Sequence, residues 1–183
     1  MVLKLHSDPR TPVEFRPAWR LHDAAIERDA IAFWQKEGLI PPNTTPQARL
    51  AELCIAGYDE NGQMITVGTA KIRDVDFLGC KLAMFRCSVA SDKRRNLLAS
   101  VITAHARELL EQWSLAHPEE ELMGMGTVVQ SRAIDGLARR AMFRASRLGF
   151  IGWTPQGEQM RVAWFEHGRV PSVQPDNAMG RVW

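Results

Sequence analysis

Hydrophobic and polar positions change period several times along the chain, and each change marks an element. Over residues 13–16, Val-Glu-Phe-Arg alternates with period two and is stopped by Pro17, the mark of a short strand. Over 23–37 the period becomes helical. Ile26, Ala30, Phe33 and Trp34 share one stripe, with Glu27, Arg28, Asp29 and Lys36 largely off it. Gly38 follows the helix with Leu39 beyond it, and Pro41-Pro42 bar continuation. Thr45 and Pro46 suit the N-cap and first residue of a short second helix. Residues 53–58 and 64–75 read as strands joined by Asp59-Glu60-Asn61-Gly62, whose Asn-Gly pair accepts the positive φ of a hairpin turn. After a connection over 76–80, residues 81–90 form a third strand, with Leu82, Met84, Phe85, Cys87 and Val89 apolar. Three strands in series with tight connections predict an antiparallel meander.

A long helix is expected over 94–116, with Leu98, Ile102, His105, Leu109 and Trp113 on one face. A strand over 122–129 follows. Ser131 then caps an expected helix with the stripe Ile134, Leu137, Ala138, Ala141, Ala145 and Leu148, ended by Gly149. Two last strands, over 150–153 and 160–166, flank the turn Pro155-Gln156-Gly157. The order β–α–α–β–β–β–α–β–α–β–β describes an α/β (α+β) protein. Its sheet is mixed, mostly antiparallel and of about seven strands, with helices on both faces. Residues 1–12 read as an N-terminal arm, 13–167 as the domain and 168–183 as a C-terminal tail.

The length of 183 residues suits one domain, and 45% hydrophobic with 24% charged residues is an ordinary globular balance. A net charge of +2 is too small to argue for nucleic acid or an anionic membrane. Cys54, Cys80 and Cys87 make an odd count, and Cys54 and Cys87 lie in apolar runs. Reduced thiols in a cytoplasmic protein are expected. No apolar run approaches a membrane span and no signal peptide is visible in the first ten residues. The five histidines lack metal-ligand spacing, so no metal is expected. His105, on an apolar helix face, reads as a core histidine bonded to a backbone carbonyl.

The chemistry concentrates where the strand ending at Val89 turns through a polar loop into the long helix. Helix N-termini offer free N–H groups and partial positive charge, and Arg94 and Arg95 add full charges. An anion, most naturally a phosphate, fits such a place. A solvated first helical turn accounts for the same two arginines about as well. Ser100 can add a hydroxyl to the phosphate. Arg132, Arg139, Arg140, Arg144 and Arg147 decorate the later expected helix. Its default reading is a solvated face, with an RNA-binding or acidic-partner surface as the minor alternative.

This order and these residues resemble the GNAT superfamily of acyl-CoA N-acyltransferases. Residues 13–18 with Asp23 look like the family's opening strand and helix. Residues 89–99 align without gaps to its strand 4 and pyrophosphate loop, V-x-P-x-x-(R/Q)-x-x-G-x-(G/A), which Val89, Arg94 and Ala99 fit. Leu148-Gly149-Phe150 resembles the end of its late helix. The resemblance implies a GNAT-like fold with acetyl-CoA or a related acyl-CoA as co-substrate. The cofactor would meet Val89, Arg94, Arg95, Asn96, Leu97, Leu98, Ala99 and Ser100. The acyl group would pass directly to an amine on a small molecule or peptide.

Departures from the pattern are specific. Ser91 replaces the usual proline, and Leu97 the central glycine that lets a pyrophosphate approach the backbone closely. Leu97 keeps its N–H, and its side chain has the alternative of turning into the core. The family's general-acid tyrosine maps to Ala145 and its cofactor-contacting asparagine to Ala138. The catalytic residues are therefore unassigned. Glu52, Asp74, Glu121 and Glu166 are the candidate bases, and the N–H near Val89 the candidate for polarising the thioester. A GNAT-fold binding protein without catalysis is the alternative. No membrane or nucleic-acid partner is expected, and exposed sheet edges leave room for a homodimer.

Overall fold

A computed structural model of the chain describes residues 12–94, 97–130 and 139–170. The opening strand β1 (Glu14–Pro17) leads to α1 (Ala24–Lys36), where Asp23 caps the helix by accepting from the N–H groups of Ala25 and Ile26. At the other end Gly38 takes φ +63°, and Leu39 N–H reaches back to Trp34 O at 2.9 Å, closing a glycine-dependent C-cap. Thr45 and Pro46 start the short α2 (Pro46–Leu50) as the pattern predicts. The meander follows as β2 (Leu53–Tyr58), β3 (Met64–Val75) and β4 (Cys80–Val89). The β2–β3 turn is held by Asp59 Oδ1, which accepts from the N–H groups of Asn61 and Gln63. A single 3₁₀ turn, Ser91–Lys93, separates β4 from α3 (Leu98–Ala116). The long helix thus starts four residues later than its periodicity suggests.

Beyond α3 run β5 (Leu122–Val129), β6 (Met142–Phe143), β7 (Leu148–Trp153) and β8 (Gln159–Trp164). The strands form one sheet in the order β1-β2-β3-β4-β5-β8-β7-β6. Every neighbouring pair is antiparallel except β4–β5. Among the described residues the sheet therefore has eight strands, one more than expected.

Helices cover both faces. On one, Leu98, Ile102, Ala106 and Leu110 of α3 pack against Phe15, Ile55, Ala83, Phe85 and Met125. On the other, Ile26, Ala30, Phe33 and Trp34 of α1 pack against Leu53, Ala56, Tyr58 and Val67. A third cluster contains Val75, Leu82, Met160 and Val162. Alternation along β4 puts Leu82 on the α1 side of the sheet, opposite the α3-facing Ala83 and Phe85.

The helix expected over 131–148 is not what this segment forms. Its first eight positions lie outside the described residues. From Met142 onward the chain makes a hairpin, Met142 pairing Gly149 and Phe143 pairing Leu148. Gly149 and Phe150 are strand residues, so the likeness to a helix end fails there. The physical reason is Arg161. This fully buried side chain donates to Arg140 O at 2.9 Å and to Ala141 O and Leu148 O at 3.4 Å. Its guanidinium stacks 3.9 Å from the Phe143 ring centroid. Carbonyls aimed at a guanidinium on β8 are not available to a helical ladder. The arginine-decorated helix face consequently does not form over 139–147, where Arg147 instead pairs with Glu166 at 2.9 Å.

Candidate active site

The parallel ladder between β4 and β5 is short. It pairs Lys81 with Leu122 and ends at Met84 with Gly126. Both strands run on: β4 to Val89, still paired with β3, and β5 to Val129, still paired with β8. Two strands that continue while their mutual ladder stops must diverge, so a wedge opens between them toward their C-terminal ends. Ala90 donates its N–H to Ile65 O on β3 at 2.9 Å. Antiparallel alternation then directs the N–H groups of Val89 and Cys87 away from β3, into the wedge. A carbonyl oxygen in the wedge would meet these donors.

The loop and helix start sit above this opening. Val89 is half-buried, and its carbonyl accepts from Arg94 Nε at 3.4 Å. Arg94 is exposed, and Arg95 and Asn96 lie outside the described residues. Leu97 is the N-cap of α3, makes no side-chain cap and is 69% exposed. Its side chain therefore does not turn into the core, and it stands beside the path a phosphate would take. Leu98 does turn in, at 6% exposure. Ala99 and Ser100 are exposed. Ser100 and Val101 both donate their N–H groups to Leu97 O, so Leu98 and Ala99 carry the first-turn N–H groups that point off the helix end.

The four candidate bases are scattered. Asp74 is exposed and pairs in register with Lys81, at the end of β4 remote from the wedge. Glu121 precedes β5 and so lies at that same remote end. Glu166 follows β8 and is bound to Arg147. Only Glu52 lies near the part of β4 that borders the wedge. Its Oε1 is 3.5 Å from Lys71 Nζ and its Oε2 3.3 Å from Arg86 Nη2. Arg86 is a residue that sequence reasoning passed over. Its position two residues beyond Met84 becomes visible only when the ladder's end is known.

Other groups resolve into structure. The Tyr58 hydroxyl donates to Asp29 Oδ2 at 3.2 Å, and burial, with the Asp29 charge after it, pushes the phenol up to about 12. It belongs to the α1 interface, two strands from β4. His105 packs against Phe15 with ring centroids 4.6 Å apart and planes tilted by 58°, and among the described residues neither ring nitrogen has a hydrogen-bond partner. The expected carbonyl partner is thus not found. All three cysteines are free thiols, with Cys54 and Cys87 pushed up by burial. Among the described residues no His, Cys, Asp or Glu group could hold a metal, and no helix is long and apolar enough to cross a membrane. A cavity of about 290 Å³ lies elsewhere, between Arg20, His22, Asp23, Glu27, Leu50 and Leu53. It adjoins the start of α1, whose 13 residues put it roughly 20 Å from the loop.

No family profile and no curated protein sequence matches the chain. Solved structures do. A GNAT-family acetyltransferase from Streptococcus pneumoniae superposes with a TM-score of 0.59 at 10% identity, over 84% of this chain and 99% of that one. A GNAT-superfamily phosphinothricin acetyltransferase from Sinorhizobium meliloti, solved with acetyl-CoA, gives 0.52 at 16% identity over 90% and 97%. The ribosomal-protein-S5-alanine acetyltransferase from Vibrio fischeri gives 0.52 at 11% over 86% and 95%. Identities this low carry the fold and nothing finer, and the fold is that of the GNAT acetyltransferases.

Proposed function

We propose that the protein is a cytoplasmic acyl-CoA N-acyltransferase that moves an acetyl group from acetyl-CoA directly to an amine. The observation that carries this reading is the β4–β5 ladder ending at Met84 and Gly126 while both strands continue beneath the start of α3. A thioester seated in the wedge has its carbonyl oxygen against the Val89 N–H. The pyrophosphate lies on the Arg94–Ser100 loop, held by Arg94 and the N–H groups of Leu98 and Ala99.

The chemistry asks little more of the chain. The Val89 N–H stabilises the charge that develops on the carbonyl oxygen as the amine attacks. The amine nitrogen bonds to the carbonyl carbon, the carbon–sulfur bond breaks, and the nitrogen's proton passes to water. A thiol with a pKa of about 8.5 leaves as the thiolate without an acid, so transfer is slowed but not forbidden although the chain's single tyrosine, Tyr58, is held by Asp29 two strands from β4. General acid catalysis is worth roughly 10²–10⁴-fold, which is the expected deficit.

Titration calorimetry with acetyl-CoA tests the reading. Micromolar binding, weakened about tenfold or more by Arg94→Glu, is expected. One observation favours a second reading, a binding protein that keeps the fold without catalysis: the exposed Leu97 side chain beside the loop. Absence of acetyl-CoA binding by folded protein would establish that alternative.

A further inference from the structure

Arg86 and Lys71 stand on the α1 side of the sheet, in the stretch between the two apolar clusters of that face. Register pairs Thr69 with Arg86 and Lys71 with Met84, so Lys71 and Arg86 are diagonal neighbours. Like charges placed so repel. Glu52 lies between them, with one oxygen toward each. Arg49, at the end of α2, is turned elsewhere: it donates Nη1 to Leu39 O and lies 4.7 Å over the Trp34 ring. Two cations therefore share one carboxylate, on a part of the sheet that α1 leaves open: Arg86 and Lys71 are 63% and 50% exposed at the side chain.

Position gives the cluster a use. Arg86 is the second residue of β4 beyond the end of the β4–β5 ladder, so it borders the wedge. It lies three residues from Val89, roughly 10 Å along the strand. An amine approaching the thioester from the α1 side passes over this group of charges. The excess positive charge repels a polycationic acceptor and attracts one that carries an acid.

We infer that Arg86 and Lys71 form an anion subsite for the acceptor, which is a small amine that also carries a carboxylate or phosphate. The inference rests on the acyltransferase reading. It assigns Glu52 a positioning part: it keeps Lys71 and Arg86 side by side with donors left over, and its own lone pairs are already directed at two cations.

The test separates the two levels. Acetyl-CoA titration alone reads the acyltransferase proposal. Acceptor binding is then titrated in the presence of free CoA, and turnover is followed with acetyl-CoA, using matched pairs: glycine, alanine, methionine and phenylalanine against their α-amides, and phosphoethanolamine against ethanolamine. At least a tenfold preference for the acidic member of a pair is expected in affinity and in kcat/KM. Which pairs show it distinguishes carboxylate from phosphate. Arg86→Gln should abolish the preference while acetyl-CoA affinity stays within twofold of wild type, and Arg86→Lys should restore part of it. Acetyl-CoA binding accompanied by equal binding of both members, by preference for the neutral ones, or by no binding of any acid, overturns the subsite and leaves the acyltransferase reading standing. A preference that survives Arg86→Gln also overturns it.

Discussion

The Glu37 carboxylate, at the C-terminal end of α1, accepts the Ser91 N–H at 3.0 Å. A helix end is thereby tied to the loop that leads into α3, and a negative charge sits at the edge of the proposed pyrophosphate site. The bond steadies the loop while the charge opposes an anion. Glu37→Gln separates the two effects because the amide oxygen still accepts. Two charges several ångströms apart near a surface interact by about 1 kcal/mol, so acetyl-CoA affinity should rise about fivefold. The gain should fade at high salt, where the charges are screened. Calorimetry at two ionic strengths checks both halves.

Leu97 offers a second handle on the same loop. At 69% exposure its side chain contributes little to the core, and glycine is favoured over leucine at a helix N-cap. Leu97→Gly should therefore change stability by less than about 1 kcal/mol. If the leucine obstructs a phosphate that the Leu98 and Ala99 N–H groups would otherwise receive, acetyl-CoA binding should tighten about tenfold. Unchanged binding in a folded variant argues that Leu97 does not obstruct the phosphate, and absent binding that the loop no longer serves a nucleotide.

How much of this was legible beforehand depended on how local each signal is. Asp23, Gly38, Thr45 and the Asp59–Gly62 turn act within a few residues, and each does what its residue type suggests. The strands β2, β3 and β5 have the expected bounds for the same reason. The 139–148 segment fails because its conformation is decided by Arg161, at least thirteen positions away in sequence. Its alanines and leucine repeat at helical spacing, but periodicity cannot register a distant guanidinium that binds three carbonyls. The site divides likewise. The strand end at Val89 follows from local pattern, although α3 starts only at Leu98. The grouping of Glu52, Lys71 and Arg86 comes from strand register and is not visible in any local pattern.

Arg161 is expected to be the most sensitive polar residue of the sheet. Arg161→Met keeps much of the apolar stem but leaves the carbonyls of Arg140, Ala141 and Leu148 without this donor. Losing the donor to the buried Leu148 carbonyl and to the two half-buried ones, of which Ala141 O keeps the Phe150 N–H, costs on the order of 2 kcal/mol in total, which for a chain of this size lowers Tm by roughly 6 °C. Thermal unfolding followed by circular dichroism measures it. Arg161→Lys should recover little, because one ammonium cannot span the same set of acceptors and loses the flat contact with Phe143. Binding at the proposed acetyl-CoA site, on β4 and its loop two strands from β8, should persist at temperatures where the variant is folded.

His105 makes stability depend on pH. Burial lowers its affinity for a proton relative to the ordinary value of 6.5, with the Glu108 charge opposing in part. The ring packs at a tilt against Phe15, and among the described residues neither nitrogen has a hydrogen-bond partner. The unfolded chain therefore binds the proton more tightly than the folded one. Stability is full above pH 6.5 and declines as pH falls toward the lower folded value. The slope is at most about 1.4 kcal/mol per pH unit for a single group. Urea unfolding from pH 7.5 down to pH 5 should show this decline in the wild type. His105→Leu removes the titrating group, so its stability should lie on a flatter curve over the same window, whatever constant offset the new side chain brings. A wild type and variant that fall in parallel would mean that other groups dominate acid unfolding.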